Sequence, residues 1–223
     1  MSVWAIVAAA GRGNRLGLDR PKAFARLNDR PLLAESLERL DGSEWIDGLV
    51  VAAPPEWEEP CILLAEEVAA GKVAETVTGG ESRAESVRRA LAEVPEDATV
   101  VLVHDAARPL VTDEVIERVV TALGEGWDGA VPALSIADTV KRVEGETVTE
   151  TLDRDGLVAA QTPQAFVASA LREAFSTLQQ SVAKSDCAGL VEARGGRVRV
   201  VPGDRRLLKV TEPADLEQLA SWL

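Results

Sequence analysis

The chain has little of the chemistry on which many metal and nucleic-acid proteins depend. Its 223 residues include one histidine and two cysteines, and 24 lysines and arginines face 37 aspartates and glutamates. A single histidine excludes a multi-histidine metal site. Cys61 and Cys187 lie far apart without zinc-site spacing, which is typical of structural thiols in a reducing compartment. The net charge of -13 argues against a protein that coats nucleic acid or anionic lipid.

Long apolar runs and linkers are also missing. The apolar stretch 3–10 is too short to span a bilayer, and no positive segment precedes it, so we expect neither a membrane helix nor a secretory signal. No low-complexity spacer or repeat interrupts the sequence. We therefore expect a cytoplasmic protein with one domain over residues 1–223, bound to neither membrane nor nucleic acid.

Short apolar runs alternate with helical patterns along the first two thirds of the chain. This rhythm predicts an α/β fold with a mainly parallel sheet and helices on both faces. The expected strands are residues 3–8, 48–53, 73–77, 99–104 and 129–131, and the expected helices are 32–40, 56–70, 82–94 and 113–123. Later come helices near 166–179 and 186–194, a strand at 197–201 and a closing helix from Pro213.

An inserted hairpin breaks this rhythm. Residues 138–143 and 147–152 alternate with a period of two around the turn 144–146. Because an isolated two-stranded hairpin is marginal in water, the arm at about 136–153 is expected to pack against something, and a second subunit is a natural partner.

The segment AAAGRGNRLGLDRPK, residues 8–22, follows the first buried run and combines glycines with basic side chains. Gly11 and Gly13 let the backbone approach an anion closely, while Arg15 and Lys22 offer charge-assisted donors to phosphate. Leu16 stands where a dinucleotide fingerprint needs glycine, and a Walker ending is absent. The segment predicts a phosphate-binding loop at the carboxyl end of the first strand.

A second polar cluster, His104-Asp105-Ala106-Ala107-Arg108-Pro109, ends another apolar run at the same sheet edge. Asp105 is placed to hold Mg²⁺ against a nucleotide phosphate, and Arg108 to bind a second anion. A structural pair between Asp105 and Arg108 fits the sequence equally well. His104 is interpreted as the polar end of a core strand.

The segment GGESRAESV, residues 79–87, follows a further strand and begins a helix. Ser82 and Glu85 form a capping box by their spacing. The paired glycines are left unexplained by capping and could expose backbone groups to a nucleobase, supported by Arg83 and Ser86. Segments 153–156 and 208–211 and the turn around Thr162 are weaker signals for an acceptor site.

Taken together, these segments resemble the 2-C-methyl-D-erythritol 4-phosphate cytidylyltransferases, the IspD family, of non-mevalonate isoprenoid synthesis. The resemblance covers nearly the whole chain in order: AAAGRGNRLG, RPKAF, GGESRAESV, VHDAARPLV, DTVKRV, RDGLVAAQTPQAF, SDCAGLVE, and VPGD with KVTEPADL. It implies a Rossmann-like nucleotidyltransferase fold with the hairpin as the dimerisation arm of a homodimer.

The resemblance also implies the reaction and its residues. The phosphate of methylerythritol phosphate attacks the α-phosphate of CTP, with Mg²⁺ or another divalent cation bound by Asp105, and releases pyrophosphate. The implied catalytic residues are Arg15, Lys22, Arg154 and Lys209. The implied substrate-binding residues are Ala9, Ala10, Gly11, Gly13, Gly80, Glu81, Arg83, Ser86, Asp105, Ala106, Arg108, Thr162 and, from the partner's arm, Thr139.

One position departs from the family pattern. Related enzymes commonly carry asparagine two residues before the C-terminal lysine, whereas Leu207 stands here, and Asp204 is a possible substitute ligand. Two alternatives remain at this point. Ribitol 5-phosphate cytidylyltransferases share the CTP loop but more often begin it with LAGG, and a catalytically degenerate nucleotide-binding protein would tolerate Leu207.

Overall fold

A computed structural model describes residues 1–176 and 186–223 of the chain. The strands are β1 Val3–Ala8, β2 Arg26–Leu27, β3 Arg30–Pro31, β4 Gly48–Ala53, β5 Val73–Thr78, β6 Val100–Asp105, β7 Gly129–Ser135, β8 Val140–Glu144, β9 Thr147–Leu152, β10 Val158–Ala160, β11 Gln164–Val167 and β12 Val198–Pro202. The helices are α1 Leu32–Asp41, α2 Glu58–Glu67, α3 Arg83–Glu93, α4 Asp113–Thr121, α5 Ala168–Ser176, α6 Cys187–Glu192 and α7 Pro213–Ala220.

A twisted, mainly parallel sheet organises the fold, as the alternating pattern predicts. β1 lies between β4 and β6 and is parallel to both, and β5 extends the sheet beyond β4. On the other side, β11 runs antiparallel to both β6 and β7. Ala133 of β7 pairs with Ala160 of β10 and with Pro202 of β12, so these two strands flank β7 on opposite sides. The sheet therefore brings the carboxyl ends of β1, β4 and β6 to one edge.

The two faces of the sheet carry separate hydrophobic clusters. Alternate β1 residues contribute to them, with Val7 in one cluster and Ile6 in the other. Helices α1, α2 and α4 cover the first face, and α3, α5 and α6 cover the second. Both faces of β1, β4 and β6 are consequently buried, which explains why these strands read as continuous apolar runs. In the described residues, no helix combines the length and apolar character needed to cross a membrane.

One predicted helix begins in the wrong place. The pattern predicts a helix from Phe166, but residues 164–167 form β11, and the helix starts only at Ala168. Phe166 is completely buried because it sits in the sheet between β6 and β7. Residues 177–179 of that predicted helix, and Ser185 of the SDCAGLVE segment, lie outside the described residues. The other predicted elements are confirmed with small shifts of their bounds.

The predicted hairpin is confirmed as β8 and β9, which form their own two-stranded sheet. Gly145 in the turn has a φ of 59°, a conformation that favours glycine. Val143 and Val148 leave 57% and 54% of their surfaces exposed. The hairpin thus carries apolar side chains that the described part of this chain does not cover.

Candidate active site

The two polar segments predicted to meet do lie side by side at the sheet edge. Ala8, the last residue of β1, pairs in register with Asp105, the last residue of β6. The amide of Ala106 donates to the carbonyl of Ala8 at 3.2 Å. The basic loop that follows β1 and the turn that follows β6 therefore leave the sheet as neighbours.

The loop after β1 folds back on itself at a glycine. Gly13 has a φ of 72°, and a Cβ built on it would lie 2.8 Å from the Cβ of Lys22. The amide of Lys22 donates to the carbonyl of Gly11 at 3.2 Å, which closes the loop. A larger residue at position 13 would be strained and would push Lys22 away, so this glycine fixes where the lysine stands.

The segment before α3 is fixed by serine side chains and by a close backbone approach. Ser82 caps α3 by accepting from the amide of Glu85 at 3.1 Å, while the Glu85 carboxylate accepts from the amide of Glu81, one residue before the cap. The hydroxyl of Ser86 accepts from the amide of Gly80 at 3.0 Å and donates to the carbonyl of Ser82 at 2.9 Å. Ser86 thereby fixes the backbone of the turn at Gly80 that precedes α3.

Gly79 lines neither cavity of the site, but it supports the site from behind and is missing from the predicted set. A Cβ on Gly79 would lie 2.3 Å from the Cβ of Ala10 and 2.9 Å from the carbonyl oxygen of Ala53. Only glycine lets the turn after β5 approach the loop after β1 so closely. The glycine pair signalled a special backbone, but only the folded contact shows that Gly79 serves packing between the two loops.

Asp105 is the electrostatic centre of the site. Its carboxylate accepts from the Arg83 guanidinium at 2.8 Å through one oxygen and from the Lys209 ammonium at 2.6 Å through the other. Burial alone raises the pKa of Asp105, but the two cations outweigh burial and hold this pKa below its usual range. The carboxylate is therefore ionised at neutral pH.

Arg83 has a further neighbour, Cys187, that the sequence did not mark as part of the site. The guanidinium Nη1 lies 3.4 Å from the Cys187 sulfur, and Cys187 is the first residue of α6. Burial raises the pKa of this thiol to about 11, so it is protonated at neutral pH. The sulfur thus contacts Arg83 as a neutral group and does not compete with Asp105 for its charge.

Lys22 is partly buried and lies close to several other positively charged side chains. The pKa of Lys22 is lowered from 10.5 to about 8 by burial first and then by the nearby Lys209, Arg15 and Arg108, against the opposing effect of Asp105. Such a lysine gains free energy from an arriving anion, because the anion relieves both the burial of its charge and the repulsion. This is the electrostatic character expected of a phosphate site.

Two adjoining cavities meet at Lys22. The first, of about 260 Å³, is lined by most of the predicted substrate residues; the second, of about 330 Å³, lies against the basic loop. Predicted residues in the first are Ala9, Ala10, Gly11, Lys22, Gly80, Glu81, Arg83, Ser86, Asp105, Ala106 and Lys209. Predicted residues in the second are Gly11, Gly13, Arg15 and Lys22.

Arg108 and Thr162 lie behind Asp105 and line neither cavity. The Arg108 guanidinium donates to the carbonyls of Leu207 and, at 3.5 Å, Ala160, and burial lowers its pKa. Thr162 is buried, and its hydroxyl accepts from the amide of Asp105 at 3.0 Å. The Asp105–Arg108 pair considered from sequence is not formed, since Asp105 bonds Arg83 and Lys209 instead.

Arg154 and Thr139 stand apart from the cavities. Both are exposed at the base of the hairpin, where Arg154 donates to the carbonyl of Ala137. Neither lines the cavity of its own chain. Their predicted contact with an acceptor stays a prediction that depends on a second subunit.

Leu207 is a core residue that also holds Arg108. Its side chain is fully buried, and its backbone carbonyl is the acceptor for Arg108. Asp204, considered as a substitute metal ligand, instead accepts from the amide of Arg206 and forms a 2.9 Å ion pair with that side chain. The carboxylate of Asp204 is thus engaged in capping a short turn.

The site has too few protein ligands to bind a metal cation alone, so it fits only a cation that is also bound by the phosphates of a substrate. In the described ranges, no three His, Cys, Asp or Glu side chains converge on one point. Asp105 offers one carboxylate, and Lys209 occupies one of its oxygens. Mg²⁺ at nucleotide sites is commonly held by one or two carboxylates together with substrate phosphates. Asp105 can supply that single protein ligand.

The sequence is similar to one family of known proteins. The family model described as 2-C-methyl-D-erythritol 4-phosphate cytidylyltransferase matches residues 3–223. A curated protein of that name from Frankia casuarinae is 45% identical over 215 residues, covering 96% of this chain and 78% of the relative. Another, from Saccharopolyspora erythraea, is 44% identical over 220 residues, covering 97% and 96%.

Solved structures are similar over the full chain. The crystal structure of the cytidylyltransferase from Francisella tularensis aligns with a TM-score of 0.83 at 30% identity, covering all of this chain and 99% of the other. That from Thermus thermophilus aligns with a TM-score of 0.77 at 32% identity, covering all of this chain and 98% of the other.

Proposed function

The chain belongs to the family of 2-C-methyl-D-erythritol 4-phosphate cytidylyltransferases, and we propose that the paired cavities around Lys22 and Asp105 are its active site. The enzyme transfers CMP from CTP to 2-C-methyl-D-erythritol 4-phosphate and releases pyrophosphate in non-mevalonate isoprenoid synthesis. The observation that carries the site assignment is the convergence of Lys22, Lys209 and Arg83 around one ionised carboxylate at the sheet edge.

We assign the nucleotide to both cavities. The cavity beside the basic loop has the charge for the terminal phosphates of CTP, with Arg15 and Lys22 as donors. The other cavity would hold the cytidine near Gly80 and Ser86. Lys22 lines both cavities, so this arrangement puts it beside the α-phosphate, between the base and the leaving group.

The reaction then depends on charge neutralisation. A phosphate oxygen of the acceptor forms a bond to the α-phosphorus, the bond from that phosphorus to the bridging oxygen breaks, and pyrophosphate carries away the electron pair. The attacking oxygen is already ionised, so no general base is needed. The barrier comes largely from bringing two anions together, and Lys22 and Lys209 would offset it.

We propose Mg²⁺ as the cofactor, with Asp105 as its protein ligand. A bound cation would neutralise charge on the triphosphate. The ionised carboxylate of Asp105 keeps one oxygen toward Arg83, while the oxygen now facing Lys209 is the one available to a cation. Lys209 would be released from Asp105 in that exchange and become free to contact phosphate.

We propose that the acceptor site is completed by a second copy of the chain. Val143 and Val148 expose apolar surface on the hairpin, and Arg154 and Thr139 lie at its base without lining their own cavity. A homodimer formed through the hairpins would bury the valines and bring the two polar residues to the partner's site. Charged substitutions Val143→Asp and Val148→Asp should shift light-scattering mass from dimer to monomer and abolish activity. A dimer that persists with both changes would contradict this arrangement.

We also place the enzyme in the cytoplasm. Cys61 and Cys187 are unpaired and buried, as expected in a reducing compartment. Fractionation of the producing cell, with the enzyme followed by immunoblot, tests this placement. Recovery outside the cytoplasmic fraction would contradict it.

The activity and its site can be tested together. Purified protein with CTP, Mg²⁺ and methylerythritol phosphate should yield one diphosphocytidyl product, identified by mass, for each pyrophosphate released. Lys22→Ala should lower turnover by roughly 10²- to 10³-fold, the effect of removing one preorganised donor to a transition-state charge. Lys72→Ala is the matched control, because Lys72 bonds the carbonyl of Ser43 and lines neither cavity. Equal turnover in the two variants would remove Lys22 from the mechanism.

A further inference from the structure

The single histidine of the chain lies directly behind the active site. His104 precedes Asp105 on β6 and is completely buried. Its Nε2 lies 3.1 Å from the backbone carbonyl oxygen of Arg108. A carbonyl oxygen can only accept, so Nε2 carries the hydrogen and donates.

The other ring nitrogen fixes the direction of a second hydrogen bond. Nδ1 of His104 lies 3.3 Å from the Thr162 hydroxyl. That hydroxyl already accepts from the amide of Asp105 at 3.0 Å. With the proton on Nε2, the ring's Nδ1 is an acceptor, and Thr162 donates to it. The ring is completely buried and makes these two hydrogen bonds, an arrangement that suits the neutral form.

The bonds form one directed chain. It runs from the Asp105 amide to the Thr162 hydroxyl, to the His104 ring, and on to the Arg108 carbonyl. It joins the end of β6 and the turn after it to the loop before β11, and these two segments carry four predicted site residues, Asp105, Ala106, Arg108 and Thr162. An apolar side chain of similar size would fill the space, but it would leave the Arg108 carbonyl and the Thr162 proton without these partners.

We propose that His104 is a positioning residue that, through this chain of hydrogen bonds, fixes the turn carrying Asp105 and Arg108 and sets the direction of the Thr162 hydroxyl. The inference rests on the proposed function for its catalytic meaning. It has a consequence for Thr162, whose proton is committed to His104. Thr162, which is buried and lines neither cavity, therefore has no proton to donate to a phosphate oxygen of the acceptor.

The tautomer can be read directly in the wild-type protein. Because the chain has one histidine, long-range proton–nitrogen NMR on protein labelled with ¹⁵N-histidine gives one set of ring signals. We expect the neutral form with hydrogen on Nε2, and a shift of the Nδ1 signal in Thr162→Val. A ring with hydrogen on Nδ1, or a mixture of tautomers, would overturn the proposed chain. This result does not depend on enzymatic activity.

Three substitutions separate positioning from packing. His104→Leu removes both bonds, His104→Gln keeps a donor within reach of the Arg108 carbonyl, and His104→Asn keeps an acceptor near the position of Nδ1. We expect kcat/KM to fall about 10²-fold in His104→Leu, the scale of a small misplacement of reacting groups. His104→Gln and His104→Asn should each recover part of the loss.

The kinetic pattern decides between the two roles. A positioning role predicts a raised KM for methylerythritol phosphate in variants that are soluble and folded. For each variant, kcat is calculated from the concentration of sites that bind CTP, so that unfolded protein is not counted. A purely structural role predicts a lowered melting temperature with unchanged KM in all three variants, and would overturn the proposal. If His104→Leu does not fold, the same comparison is made with His104→Gln and His104→Asn. If wild-type enzyme has no cytidylyltransferase activity but shows the expected tautomer, the proposed function fails while the hydrogen-bond chain stands.

Discussion

The protonation of Lys22 gives a quantitative test of the electrostatics of the site. Its pKa is lowered from 10.5 to about 8, first by burial and then by the neighbouring Lys209. In the free enzyme, the lysine is then roughly 90% charged at pH 7 and roughly 10% charged at pH 9. An ordinary lysine would remain almost fully charged over this range.

This titration should appear in the use of CTP. Since kcat/KM reports the free enzyme, its value for CTP should fall about tenfold between pH 7 and pH 9. Bound triphosphate favours the charged lysine and raises its pKa, so kcat should stay level to a higher pH than kcat/KM. Initial rates of pyrophosphate release at saturating acceptor and Mg²⁺, measured at half-unit steps from pH 6.5 to 10, give both profiles.

The matched variant replaces Lys22 with a residue whose positive charge does not titrate in this pH range. Lys22→Arg retains a cation at every pH in the range, so its kcat/KM should be lower but level from pH 7 to 9.5. Lys72→Arg, away from the cavities, should keep the wild-type profile. A wild-type kcat/KM that stays level to pH 9.5, or the same decline in Lys22→Arg, would refute the assignment of this titration to Lys22.

Three further predictions concern glycine, charge and thiols. Gly13 and Gly17 both have positive φ, but only a Cβ at position 13 meets another side chain. Gly13→Ala should therefore raise the KM for CTP about tenfold, whereas Gly17→Ala should cost about 1 kcal/mol of stability without changing this KM. Equal KM values for CTP in the two variants would contradict this prediction. The pKa of Asp105 is held below its ordinary value, so its ion pairs stabilise the fold above about pH 4 and this stability is lost as pH falls. Urea unfolding should show Asp105→Asn less stable by about 2 kcal/mol at pH 7, a difference that narrows by pH 3; a constant difference would be evidence against the ion pairs. Burial raises the thiol pKa values to about 12 for Cys61 and about 11 for Cys187, so iodoacetamide at pH 8 should modify neither thiol in native protein and both after unfolding, and rapid native labelling would show that the sites are open.

The parallel half of the fold was predictable because its signals are local. β1, β4 and β6 are apolar runs buried on both faces, and glycine and basic residues directly follow β1. Parallel strands ending at one edge then bring Lys22 and Asp105 together without further information. The same rule accounts for the placement of Gly80 and Arg83 after β5.

The antiparallel strands β10 and β11 were not predictable because their partners are distant in sequence, whereas the hairpin strands β8 and β9 are neighbours along the chain and were predicted. β11 is four residues long and is defined by its pairing with β6. Gln164 of β11, for example, pairs with Val103 of β6, which lies about sixty residues earlier in the sequence. Phe166 fits a helical pattern as well as a strand, so only the sheet decides. β10, with three residues, has no local signal of its own.

The side-chain contacts in the site also could not be predicted from the sequence. Asp105 could pair with Arg108 by spacing, yet it bonds Arg83 and Lys209, which come from two other segments. Cys187 contacts Arg83 across 104 residues of sequence. Such contacts follow from how α3 and α6 pack on one face of the sheet, which no local pattern encodes.

The central claim is that the cavities around Lys22 and Asp105 transfer CMP to methylerythritol phosphate. The most direct test is pyrophosphate release from CTP and Mg²⁺ with methylerythritol 4-phosphate and ribitol 5-phosphate compared as acceptors at equal concentration. We predict release with methylerythritol phosphate and background rates with ribitol phosphate. Preference for ribitol phosphate, or release with neither acceptor despite measurable CTP binding, would contradict the account.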